Sequence, residues 1–315
     1  MSECETVELT CSPEEVWRHY ETRQKLDADF SGYKLPARLP DDPSMIFERI
    51  KATEEWLIPR GDYSNGSATV ANHILPIAGS SGVLLTAEHA TDHIRSRADG
   101  TIFKKDADAG TGALAAMVGA ETQSDALIAI GRQTSDANRD NEHLLKKMMH
   151  EVISRDVIEA DISIHGMGRA IHIEPKARRG IPIMLGVGYE PSDATSTFVY
   201  DHLVKIGSDY DLDVRVNQPF IAFDFKAKRP LLNEDGTVKT KIFAAPAHTT
   251  RGYAQSVAKE LGKNDSFVAV QIELSSVLRH LRDEKVVWPT HRDRVMGAYL
   301  GYLFVKAAVE SVSIL

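Results

Sequence analysis

The pattern of hydrophobic and polar positions changes character near residue 68. Upstream, apolar residues are scattered and Pro36, Pro40 and Pro43 break the chain into loops. One helix start stands out there: Ser12-Pro13-Glu14-Glu15, with Ser as N-cap, Pro at the first helical position and Glu closing a capping box. Downstream, short β-branched runs alternate with longer stretches of helical period. The predicted strands are Ala68–Ile77, Gly82–Ala87, Ala126–Ile130, Asp161–Ile164, Ile181–Val187, Asp213–Val216, Lys241–Ala245 and Phe267–Glu273. Several are apolar throughout, too apolar for a sheet with one wet face. Helices on both faces are therefore required, which predicts a three-layer α/β/α sandwich around a mixed, mainly parallel central sheet. The helices fall at Gly112–Gly119, Glu142–Ile153, Thr195–Ile206 and Thr250–Leu261, and Val295, Tyr299, Tyr302, Val305 and Val309 mark one stripe of a last helix. Neither a repeat nor a low-complexity linker interrupts the pattern, so residues 67–315 read as a single α/β domain and residues 1–66 as an N-terminal helical extension.

Composition narrows the partners. The chain has 315 residues, 43% of them hydrophobic, enough for a large core. Its formal net charge of -8 argues against nucleic acid or an anionic membrane as the main partner and favours a small molecule. The two cysteines, Cys4 and Cys11, lie close to the start, so neither a disulfide framework nor a thiolate metal site is expected, and a reducing compartment fits. No apolar run is expected to span a membrane, and the acidic opening Met1-Ser2-Glu3-Cys4-Glu5 is unlike a signal peptide; a cytoplasmic protein is the expectation. A homo-oligomer is left open.

Four polar constellations interrupt the framework, most of them at or beside strand ends. Gly82 to Ala87 runs into Glu88-His89-Ala90-Thr91-Asp92-His93, where imidazole and carboxylate three residues apart can face one cation. Thr134-Ser135-Asp136-Ala137-Asn138-Arg139-Asp140 follows the strand ending near Ile130. Asp161 to Ile164 ends in His165-Gly166, and Val268-Ala269-Val270-Gln271-Ile272-Glu273-Leu274 embeds a carboxylate in an apolar strand. Singly, the first three read as loop polarity, a solvated turn and a hydrogen-bonded core histidine. Glu273 is different, because burying a lone carboxylate costs several kcal/mol unless it has a partner or a task. An ion pair with Arg139 would supply the partner, and action as general base would supply the task.

In order, His-x-x-acid, Asp-Ala-Asn-Arg, a strand-terminal His and Glu-Leu on an apolar strand resemble the zinc carboxypeptidases, with Asp92 standing where that family has Glu. Over roughly residues 80–280 the chain is similar to the N-formylglutamate amidohydrolase group, through Glu88-His89-Ala90, Asp108-Ala109-Gly110-Thr111-Gly112, Asn138-Arg139, His165 and Gln271-Ile272-Glu273-Leu274. The resemblance implies a zinc carboxypeptidase or phosphorylase/hydrolase-like fold. It implies one zinc ion held by His89, Asp92 and His165 with a position open for water, Glu273 as general base, and Asn138 with Arg139 as a clamp on a substrate carboxylate. The implied activity is hydrolysis of the amide of a small carboxylate-bearing N-acyl amino acid such as N-formylglutamate. A carboxypeptidase-type peptidase, a metal-binding protein without turnover and an aminoacyl-RNA deacylase are the competing readings. The last lacks a phosphate-tracking surface, and the non-catalytic reading leaves Glu273 without a purpose.

Several assignments stay open on the residues alone. His93, four residues after His89, would replace Asp92 as ligand if a helix began there. Arg132, as a catalytic group, and Arg169, on the substrate side, are candidates for steadying a tetrahedral oxyanion. Asp108 could orient a ligand histidine or cap the following helix. Ala245 to Tyr253 could wall the substrate pocket or start a helix capped by Thr249 or Thr250. No Gly-Lys-Ser or Gly-x-Gly-x-x-Gly follows the Ile181 strand, so nucleotide chemistry gains no support.

Overall fold

A computed structural model describes residues 42–57, 73–96, 101–105, 107–130, 133–167, 183–221, 223–224, 229–242, 246–279 and 290–312. The helix start at Ser12, the strand residues 68–72 and 243–245, and Arg132 and Arg169 lie outside them. Among the described residues the main sheet has seven strands, β1 (Ile74–Ile77), β2 (Val83–Ala87), β5 (Asp125–Ala129), β6 (Ala160–Met167), β7 (Ile183–Gly186), β8 (Val214–Val216) and β13 (Val268–Ser275), while β3 (His93–Ser96) with β4 (Ile102–Lys105), β9 (Pro219–Ile221) with β12 (Thr240–Ile242), and β10 (Phe223–Asp224) with β11 (Arg229–Pro230) form two-stranded ribbons. The spatial order in the main sheet is β1-β5-β2-β6-β13-β7-β8. The four central strands β5, β2, β6 and β13 run parallel, while β1 pairs antiparallel with β5 and β7 antiparallel with β13. The sheet is therefore mixed and mainly parallel.

The continuous apolar runs explain this arrangement, since the central strands are buried on both faces. On one face, Val83, Leu85, Ile162, Ile164, Val270 and Ile272 pack with helices α1 (Pro43–Leu57), α2 (Thr111–Thr122) and α6 (His291–Val312). A further helix, α4, joins them; it runs through Asp193–Thr197, Phe198–Leu203 and Val204–Asp209, with a wider π turn in the middle. On the other face, Leu84, Leu127 and Ala269 meet α3 (Leu144–Ile153) and α5 (Thr250–Glu260). The outcome is the three-layer α/β/α sandwich.

Three differences from the sequence reading have simple causes. Pro43 does not end structure but begins α1, because a first-turn residue has no intrahelical N–H to lose. The Lys241 strand, Thr240–Ile242 among the described residues, pairs with Pro219–Ile221 in a small two-stranded ribbon apart from the main sheet. Finally, α6 is 22 residues long and apolar enough to cross a membrane by composition, but 78% of its most apolar stretch is buried inside the protein. Gly and Ala on α6 let it lie close: a Cβ on Gly301 would sit 2.2 Å from the Leu278 carbonyl oxygen.

α1 belongs to the same packed unit. Ile46, Phe47 and Ile50 are buried with α2 and α6, and Glu121 of α2 bonds Arg49 at 2.6 Å, Lys306 at 3.3 Å and the Tyr302 hydroxyl. Glu54 of α1 also accepts the Gly110 N–H at 3.1 Å, just before α2.

Candidate metal centre

Parallel pairing puts His165 of β6 directly beside Glu273 of β13, and Ser163 beside Gln271. Strand alternation points these side chains to the face covered by α3 and α5, together with Thr86 of β2 and Glu88 just beyond it. The result is two polar rows inside an apolar sheet, one supporting the other. Thr86 Oγ1 and Ser163 Oγ both donate to Glu88 Oε1, at 2.9 and 2.8 Å, and Gln271 Nε2 donates to Glu273 Oε1 at 2.8 Å. Glu88, His165 and Glu273 are all buried.

His89 enters from the turn after β2. Its Nδ1 lies 3.1 Å from His165 Nδ1 and 3.4 Å from Asp108 Oδ2, and His165 Nδ1 lies 3.7 Å from the same Asp108 oxygen. Glu273 Oε1 is 3.9 Å from His165 Nδ1. A tetrahedral zinc with bonds of ~2.0–2.2 Å holds its ligand atoms ~3.3–3.6 Å apart. The sides of the Nδ1, Nδ1, Oδ2 triangle, 3.1, 3.4 and 3.7 Å, bracket that spacing. The outward nitrogens are also occupied: His165 Nε2 sits 3.0 Å from Glu88 Oε2, and His89 Nε2 2.7 Å from Asp136 Oδ1. Carboxylates behind both imidazoles fix ring orientation and raise ligand basicity, as metal-binding histidines usually require.

A second group, His89, His93 and Asp136, also brings ligand atoms together. It fits a metal less well, since the 2.7 Å from His89 Nε2 to Asp136 Oδ1 is a hydrogen-bond length. His93 stacks on His89 with ring centroids 4.2 Å apart, and among the described residues neither of its ring nitrogens has a hydrogen bond. Burial, chiefly, pushes its pKa down to about 3, with the His89 charge adding.

The electrostatics describe an interior crowded with carboxylates. Four buried carboxylates, Glu88, Asp108, Asp136 and Glu273, crowd around the histidines, with the buried guanidinium of Arg279 among them. Burial alone would raise Glu88, but the His165 charge and hydrogen bond bring its pKa down to about 2. Burial likewise opposes protonation of His165, yet Glu88 and Asp108 outweigh it and lift its pKa well above the ordinary value. The same balance, against Asp108 and Asp136, raises His89. Glu273 goes the other way: burial, with Asp108 adding, pushes its carboxyl up. A divalent cation at the Nδ1, Nδ1, Oδ2 triangle would replace the imidazole protons in balancing these carboxylates.

The remaining sequence candidates fall as follows. Asp92 belongs to neither ligand group; one of its oxygens accepts the Ala107 N–H at 2.9 Å. The chain turns after Ala87 and enters β3 (His93–Ser96) directly, so no helix sets His89 and His93 on one face. Asp108 does not cap α2, whose N-cap is Gly110 without a side-chain bond; its carboxylate instead accepts the Gly166 N–H at 3.0 Å. Asn138 Oδ1 accepts the Thr250 N–H at 2.7 Å and so fastens the start of α5. Arg139 is 61% exposed at its side chain, with Nε 3.7 Å from Asp136 Oδ2. In Pro246 to Tyr253, Thr249 caps α5, and Arg251 turns inward to donate to the Ala269 carbonyl at 3.2 Å.

Sequence reasoning missed three participants. Glu88 was hidden by its neighbour His89, although Thr86, Ser163 and Gln271 at alternating positions of apolar strands signalled something polar to be held. Arg95 places Nε 2.7 Å from Asp136 Oδ2 and Nη2 3.4 Å from His89 Nε2. Its strand is too short to give a pattern. Arg279 lies on a turn after β13 and carries no motif.

No family model matches the chain, and no curated protein matches it significantly. Among solved structures, the tripeptide-bound cell shape determinant Csd4 from Helicobacter pylori is similar over 78% of this chain and 56% of its own, at 11% identity and a TM-score of 0.41. The chain thus spans about half the length of that neighbour. A metallo-carboxypeptidase from Burkholderia cenocepacia is similar over 84% of this chain and 69% of its own, at 11% identity and a TM-score of 0.36. Likenesses this distant leave the reading to the site's own geometry.

Proposed function

We propose that this chain is a zinc-dependent hydrolase that cleaves the amide of a small carboxylate-bearing substrate, with N-acyl amino acids such as N-formylglutamate as the model. The observation that carries the reading is the triangle of His89 Nδ1, His165 Nδ1 and Asp108 Oδ2 at 3.1 to 3.7 Å, backed by Glu88 and Asp136. Zinc bound there would polarise the scissile carbonyl and acidify a water molecule. Glu273, on the same face of the sheet and held by Gln271, would accept the water proton at its carboxylate and deliver it to the leaving amine. Its raised affinity for protons suits both transfers. Arg139, exposed and 3.7 Å from Asp136, would turn to close a two-pronged grip on the substrate carboxylate. Asn138 steadies that loop against α5.

The test is zinc content of the purified chain, with one ion per chain expected, followed by a hydrolysis panel of N-formyl and N-acyl amino acids and C-terminally free dipeptides. Turnover of the acyl amino acids alone supports the amidohydrolase, and turnover of dipeptides alone moves the substrate to a peptide C-terminus. Absence of both zinc and turnover sinks the reading. Arg139→Lys keeps the charge but not the fork, so kcat/KM on carboxylate substrates should fall by about 10-fold or more with zinc content unchanged. Unaltered kinetics would remove the clamp.

A further inference from the structure

Arg279 is an arginine buried to 5% exposure in the turn that follows β13. Its guanidinium spreads over three carbonyl oxygens from three separate parts of the chain. Nε donates to Leu274 at 3.2 Å, Nη1 to Ala109 at 2.9 Å and Nη2 to Met167 at 3.3 Å. Each carbonyl lies one or two residues from a group at the candidate metal centre: Leu274 follows Glu273, Ala109 follows Asp108, and Met167 comes two after His165.

Two glycines shape the space it occupies. A Cβ on Gly166, next to His165, would fall 2.3 Å from both Nε and Cζ of Arg279. A Cβ on Gly110, two residues after Asp108, would fall 2.1 Å from the Arg279 carbonyl oxygen, and Gly110 has φ of 87°, a conformation side chains resist. Asp108 closes the loop by accepting the Gly166 N–H at 3.0 Å. The guanidinium plane therefore packs on the strand end that carries His165 while it grips the loop that carries Asp108 and the strand that carries Glu273. Only arginine has a rigid fork of donors that reaches three acceptors in different directions; lysine directs three protons from one point at the end of a flexible stem. A permanent cation here also favours the ionised forms of Asp108 and Glu273.

We propose that Arg279 is the positioning residue of the metal centre, a buried three-way clasp that sets the spacing of Asp108, His165 and Glu273 and hence the site's affinity for its dication. The proposal rests on the zinc-hydrolase reading, but its test does not depend on turnover. In the full-length chain, Arg279→Lys should bind zinc about 10–100-fold more weakly, the usual cost of removing such support. Its cobalt-substituted form should show an altered visible spectrum. Hydrogen exchange at the Gly166 amide should quicken even without metal. Gly166→Ala, which displaces the guanidinium, should weaken zinc in the same direction. Because both changes act through one clasp, the double variant should be no weaker than the weaker single one.

Wild-type zinc affinity and unchanged Gly166 protection in Arg279→Lys would overturn the proposal, as would losses that simply add. If Arg279→Lys fails to fold, Gly166→Ala decides by itself, with wild-type zinc affinity overturning the clasp. A wild-type chain that takes up no zinc overturns the hydrolase reading and with it the metal role of the clasp. Faster exchange at Gly166 in that case would report only a structural tie.

Discussion

Glu273→Gln is expected to fold, to take up zinc as the parent chain does, and to hydrolyse its substrate about 10²–10⁴-fold more slowly, the usual worth of a positioned general base. The substitution is nearly isosteric. Gln271 Nε2, now 2.8 Å from Glu273 Oε1, can still donate to an amide oxygen there, so the local packing survives. What disappears is a buried carboxylate that can take up and release a proton, the one such group facing the triangle of ligand atoms from β13. Burial pushes that carboxyl up, and a carboxylate with raised proton affinity is a stronger base than one in water. Zinc content and kcat measured together decide the matter. Undiminished kcat at full zinc occupancy would exclude Glu273 from the reaction, and loss of zinc would make it a ligand.

The second large effect separates two aspartates. Zinc sites release ~10–16 kcal/mol on binding, so one of about four ligands is worth roughly 10²–10³-fold in affinity. Asp108→Ala should incur that loss, because Asp108 Oδ2 forms the third corner of the triangle with His89 and His165. Asp92→Ala should leave zinc affinity within a few-fold of the parent, since its carboxylate accepts the Ala107 N–H and stands outside both ligand groups. Isothermal titration of the metal-free chains reads both. The opposite ranking would restore the His89-x-x-Asp92 pair as the ligand set.

These two aspartates mark where sequence information ran out. The layered fold was legible because strands buried on both faces must be apolar throughout, and β2, β5, β6 and β13 are. The positions of His165 and Glu273 were legible for the same reason: a titratable side chain in such a run is conspicuous. Whether Asp92 or Asp108 faces the histidines depends on how the chain turns after Ala87 and on the Gly166 N–H that draws Asp108 in, and spacing along the chain records neither. α1 falls inside the expected helical extension, but its start was not legible, because Pro43 reads as a breaker until its place in the first turn is known. Arg279 was invisible because its partners are backbone carbonyls, which every sequence possesses.

The parallel pairing of the central strands has a kinetic consequence. Parallel neighbours are joined by long crossovers, so the groups at positions 88, 108, 136, 165 and 273 meet at one edge only after pairings of high sequence separation have formed. Such non-local contacts assemble slowly and late. The chelate of His89, Asp108 and His165 exists only once β2 has paired with β6. Metal capture by this chain is therefore a signal that the β2–β6 pairing is complete, absent from every partly folded state in which those two strands are still apart.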